Sequence, residues 1–134
     1  MIWRESWKRL KGWLASRFQV SNNLGLQGEA LAARYLQRLG YRIVERRMRN
    51  QFGELDLVAI DGRTVVFVEV KTRRGDRHGI PEEAVDTRKQ IQIRRVALAY
   101  CKRHDLMEQS IRFDVVSVLF SCDGPQLTHY QAAF

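Results

Sequence analysis

A chain of 134 residues, 45% hydrophobic and with only two prolines, is long enough for one domain with a buried core and too apolar for disorder. Lys and Arg number 23 against 15 Asp and Glu, a net charge of +8 that favours polyanionic partners, nucleic acid first and an anionic membrane second. No apolar run approaches the ~20 residues of a transmembrane span, and the basic N-terminus lacks the apolar stretch of a secretory signal. The expected location is the cytoplasm. Cys101 and Cys122 lack metal-ligand spacing and read as free thiols.

Residues 1–23 form a basic, tryptophan-rich segment. All three tryptophans (Trp3, Trp7, Trp13) fall here, with five basic residues and one acid. Trp3, Trp7, Leu10 and Leu14 follow helical spacing, which predicts a helix that either packs its stripe on the domain or docks a protein or membrane surface. Residues 24–134 read as the main domain. Ser21-Asn22-Asn23 offers an N-cap, and a helix is expected from Leu24 to Leu39, stopped by Gly40. Its apolar stripe is Ala32, Ala33, Leu36 and Leu39. Glu29 lies on that stripe, an acid on the buried face. It either points into a site or pairs with a nearby arginine.

Tyr41 to Arg47 reads as a first strand and Asn50 to Gly53 as a turn. Then come GELDLVAI, Asp61-Gly62 and RTVVFVEVK. Asp-Gly between two apolar runs signals a hairpin with a type I′ turn. A two-residue Asp61-Gly62 loop pairs Ile60 with Arg63, Val58 with Val65, Asp56 with Phe67 and Glu54 with Glu69. Alternation places Val65, Phe67, Glu69 and Lys71 on one face, with Asp56 diagonal to Glu69. Two carboxylates about 5 Å apart repel by roughly 3 kcal/mol at an effective dielectric near 20, so two acids and a lysine there need a reason. The plain alternative is a half-exposed edge strand with a Glu69–Lys71 salt bridge, but VVFVEV suits a strand covered on both faces.

A basic loop, TRRGDRHGIP, supplies Arg73, Arg74 and Arg77 as candidate nucleic-acid contacts. Thr87 and Gln90 fit a capping box that opens a helix to about His104, with Ile93, Val96, Ala97 and Tyr100 inward. Lys89, at its start, either reaches the sheet or snorkels to solvent. RFDVVSVLF (Arg112 to Phe120) is a buried-looking strand, parallel to its predecessor because a helix intervenes. Ser121 to Pro125 turns the chain into an edge strand, Leu127 to Phe134. The expectation is an α/β domain of αβββαβ order, a mixed sheet flanked by helices.

Glu29, Asp56 and Glu69 sum to −3, and Lys71 brings the group to −2. A hard divalent cation, Mg²⁺ or Mn²⁺, would neutralise that charge, activate water and polarise a phosphoryl oxygen. The histidines at 78, 104 and 129 are too scattered for zinc, and there is no Gly-rich phosphate loop. The chemistry that fits is metal-assisted phosphodiester hydrolysis.

Asp56, a twelve-residue spacer and Glu69-Val70-Lys71 resemble the PD-(D/E)XK motif of restriction-endonuclease-like nucleases, whose core has the same αβββαβ order. An acid at Glu29 resembles the variant found in Holliday-junction resolvases. More narrowly, GLQGEALAARYLQRLGYRIVERRMRN, GELDLVAIDG, VVFVEVKTR and RFDVV resemble the YraN-type family of small bacterial proteins. The resemblance implies Asp56 and Glu69 as metal ligands, Lys71 as catalytic, Glu29 as an auxiliary acid that also reaches the metal, and Lys89 as an accessory, positively charged residue that contacts nucleic acid. Leu55 departs from the proline of the superfamily motif. The reading is therefore a Mg²⁺-dependent endonuclease acting on DNA, with branched or structured DNA as candidate substrates. The competing class is a catalytically silent nucleic-acid-binding or scaffold protein. A homodimer is left open.

Overall fold

The computed structural model describes residues 24–75 and 85–134. The expected N-terminal helix, the Ser21-Asn22-Asn23 cap, Arg77 and His78 lie outside the described residues. The elements run α1 (residues 24–38), β1 (Arg42–Asn50), β2 (Gly53–Asp61), β3 (Thr64–Arg74), α2 (Thr87–Arg103), β4 (Ile111–Ser121) and β5 (Gly124–Tyr130). One five-stranded sheet has the order β1-β2-β3-β4-β5, parallel at β3/β4 and antiparallel elsewhere. This is the expected α/β, restriction-endonuclease-like core with a mixed sheet.

Each helix covers one face of the sheet. Ala32, Ala33 and Leu36 of α1 pack on Leu57, Ala59, Val66, Val68, Val116 and Val118. On the other face, Ile93, Val96, Ala97, Tyr100 and Cys101 of α2 pack on Val58, Val65, Phe67, Phe113 and Val115. The run Val65–Val70 is buried throughout, because β3 lies under both layers. Leu39 is half exposed, contrary to the expected stripe: α1 ends at residue 38, and Gly40 turns away at φ +94°.

Three local expectations are corrected. The β2–β3 loop is Gly62-Arg63, not Asp61-Gly62, so Asp61 pairs with Thr64 and Val58 with Phe67. Only Gly62, the first central residue, takes positive φ (61°), the type II′ pattern rather than I′. The α2 cap is Asp86 rather than Thr87; its carboxylate accepts from Lys89 N–H at 2.8 Å. The last strand begins at Gly124 and ends at Tyr130, so Pro125 is inside it, paired with Phe120 at the sheet edge.

Candidate metal and catalytic site

The corrected register brings the two acids closer than the diagonal arrangement. The β2–β3 ladder runs to Leu57↔Val68, and its next step would set Asp56 opposite Glu69. There the alternation of β2 breaks. Leu55 and Val58 both join the α2-side core, while Leu57 joins the α1-side core. Arg47, between Arg46↔Leu57 and Met48↔Leu55 and hence across from Asp56, takes φ +50°. The ladder therefore ends at Asp56, whose side chain replaces it: Oδ2 accepts from Val70 N–H at 2.7 Å. Leu55, at the position of the motif's proline, is fully buried, so here the site is anchored by packing.

Glu69 is 7% exposed, one of two buried charged residues among those described. Lys71, two residues on along β3, and Lys89, from the first turn of α2, each place Nζ 3.9 Å from its Oε1. Lys89 thus reaches the sheet. The Oε2 atom of Glu69 is buried and has no partner among the described residues. Burial pushes Asp56 up to about 7, and the charge of Glu69 pushes the same way against the Val70 hydrogen bond. Burial also raises Glu69, opposed by Lys89, by Lys71 and by the Asp56 carboxyl. Two acceptor-only carboxylates cannot bond one another, so near neutral pH the pair relaxes by holding a proton or recruiting a cation.

Glu29 stands beside this pair. Gly28 lets α1 approach: a Cβ there would lie 2.1 Å from Thr72 Oγ1 on β3. Glu29 accepts from Arg47 Nε at 2.9 Å, so the arginine pairing is real, yet its charge still raises both Asp56 and Glu69. The Arg47 side chain is 59% exposed, and such a surface pair opens at a cost of about 0–1 kcal/mol. Among the described residues no three His, Cys, Asp or Glu side chains form a metal-holding cluster. Arg73 and Arg74 are exposed at the end of β3, beyond Lys71.

One polar centre was not foreseen. Asp114 on β4 is fully buried and accepts from Arg112 Nε (2.9 Å) and Nη2 (3.0 Å), His129 Nε2 (2.8 Å) and Ala132 N–H (3.0 Å). Burial alone would raise its carboxyl; the bonds from His129, Arg112 and Ala132 outweigh that and hold it below the ordinary value. An ionised carboxylate only accepts, so His129 carries its proton on Nε2. Arg112 also donates to Asp61 and to Tyr41 Oη. The network fastens β5 and the C-terminal turn onto β4. Its only trace in sequence is an acid inside the apolar run RFDVV.

The family model described as "Uncharacterised protein family UPF0102" matches residues 28–118. The chain belongs to the UPF0102 family. UPF0102 proteins of Geobacter sulfurreducens and Nocardia farcinica are 49% and 51% identical to it over 112 residues, 83% of this chain and 88% of each relative. That of Syntrophomonas wolfei is 45% identical over 115 residues, covering 86% of this chain and all of the relative. The matched span contains Glu29, Asp56, Glu69, Lys71 and Lys89. No helix among the described residues is long and apolar enough to cross a membrane.

Proposed function

We propose that this UPF0102 protein is a metal-dependent nuclease that hydrolyses phosphodiester bonds in DNA. The observation that carries the reading is the Asp56–Glu69 pair, in which Glu69 is buried, has an Oε2 with no partner among the described residues and is flanked by two ammonium groups at 3.9 Å. A structural ion pair needs neither a second carboxylate nor an unbonded oxygen. Oxygen donors of this kind fit Mg²⁺ or Mn²⁺, which takes one or two carboxylates and keeps most of its waters. Asp56 and Glu69 would hold the ion, and Glu29 would assist once released from Arg47. When bound, the ion supplies charge stabilisation to a phosphoryl oxygen and a more acidic water.

The chain's own groups do the rest. Lys71, on the same face of β3 as Glu69, would orient the nucleophile or stabilise charge developing on the phosphate. Lys89 holds Glu69 from the helix side, and Arg73 and Arg74 extend positive charge along the substrate path. The silent nucleic-acid-binding reading draws on the absence of a closed three-acid cluster among the described residues. Purified protein with Mg²⁺ or Mn²⁺ against linear, single-stranded, flap and four-way-junction DNA decides between them. Cleavage that disappears in EDTA and in Lys71→Ala supports the nuclease; intact DNA under every condition, with binding retained, supports the silent protein.

A further inference from the structure

The outer face of α2 has a pattern that neither the core nor the carboxylate site uses. The helix carries six cations (Arg88, Lys89, Arg94, Arg95, Lys102, Arg103) and no acid. Along one exposed stripe cationic and apolar residues alternate: Arg88, Ile91, Arg95, Leu98, Lys102. Ile91 and Leu98 are 51% and 46% exposed, although the inner stripe of the same helix is fully packed. At 1.5 Å per residue, successive cations stand about 10 Å apart with an apolar side chain between each pair.

Beside this stripe lies a groove of about 540 Å³ between α2 and the tip of the β1–β2 hairpin. Phe52, 43% exposed, forms one wall with Leu98 and Ala99, and Arg95, Lys102 and Arg103 form the rim. The tip is held in place. Asn50 Nδ2 donates to Val96 O at 3.0 Å and, through Oδ1, accepts Phe52 N–H, while Gln92 Nε2 reaches Phe52 O at 3.5 Å. The aromatic ring is therefore presented from a fixed two-residue turn.

We infer that this groove binds single-stranded nucleic acid, with an unpaired base stacked on Phe52 and the flanking phosphates on Arg95, Lys102 and Arg103. A single strand offers what the stripe alternates, anionic phosphates and apolar bases. A paired duplex hides its base faces, and an acidic peptide would leave Phe52, Ile91 and Leu98 unused. The stripe is continuous with the site: Arg88 adjoins Lys89, which contacts Glu69. This assignment extends the nuclease reading by naming unpaired nucleotides as the part of the substrate held next to the cleaved bond.

The test is binding of a fluorescein-labelled oligo(dT) and of a labelled duplex in EDTA, read by anisotropy, so that it stands whether or not cleavage occurs. The wild-type protein should prefer the single strand. Phe52→Ala should weaken oligo(dT) binding about tenfold while changing duplex binding less than twofold. Phe52→Leu, which keeps the apolar bulk and guards against a folding defect, should lose most of the same preference. Arg95→Gln with Lys102→Gln should make the salt dependence shallower by about 1.4, near 0.7 per contact on a single strand. Unchanged oligo(dT) affinity in both Phe52 variants, or equal competition by polyglutamate at matched charge, would overturn the assignment. Loss of cleavage with Phe52-dependent binding intact would overturn only the nuclease reading.

Discussion

Substituting Asp56 by Asn tests the electrostatic argument without dismantling the fold. The amide oxygen can still accept from Val70 N–H, and the amide nitrogen can donate toward Glu69, as a protonated Asp56 would. Asp56 is held at about 7 against an ordinary 3.8, first by burial and then by Glu69. Three pKa units correspond to about 4 kcal/mol, and sharing the proton with Glu69 reduces the part assignable to Asp56 to about 2 kcal/mol. The group's folded pKa is raised, so its contribution to stability is fully present below about pH 4 and is lost as pH climbs through 7. In EDTA at pH 4 the variant and the wild type should therefore melt nearly together. At pH 8 the variant should melt about 6–8 °C higher. Thermal melts across pH 4–8 read this directly. A gap independent of pH, or a variant less stable at pH 8, would refute the claim that the two carboxylates strain one another.

Lys71→Ala should leave DNA affinity within about threefold in a filter-binding assay, because one contact is a small part of so basic a surface, while cleavage is eliminated. Glu29→Gln should alter stability by only about 0–1 kcal/mol, since it loosens a surface pair with Arg47, yet metal-dependent cleavage should fall sharply in a time course. Asp114→Asn should cost about 3 kcal/mol in urea unfolding, because the half-buried Arg112 loses its bidentate charged partner in the core. The Asp114 carboxyl is held below its ordinary value, so its stabilisation is present above that value and lost as pH falls through the lowered one; the wild type should lose stability in acid more steeply than Asp114→Asn.

Much of the fold was legible because the chain's local signals agree with the final packing. VVFVEV announced a strand covered on both faces, and Glu69 stood out within it. The α2 stripe Ile93, Val96, Ala97 and Tyr100 is buried as its spacing required. The turn was displaced by one residue because Gly62 alone needs positive φ, which leaves Asp61 free to pair with Thr64. That slip of two in register kept the parity of the faces, so the meeting of Asp56 with Glu69 survived it. Period-two reasoning could not foresee the break at Asp56, which depends on Arg47 adopting φ +50° in a neighbouring strand. The Asp114 network was illegible for a different reason. Its partners come from β5, from Asp61 and from Tyr41, as far as 71 residues away, and only the assembled sheet joins them.

The central claim is that Asp56 and Glu69 form the seat of a divalent cation. Crystals soaked in millimolar Mn²⁺ at pH 8 test it most directly, through anomalous scattering at the manganese edge. The account predicts one anomalous peak about 2.2 Å from an oxygen of each carboxylate, with Glu69 Oε2 now partnered. A manganese peak elsewhere, or none while both carboxylates stay as they are, would contradict it.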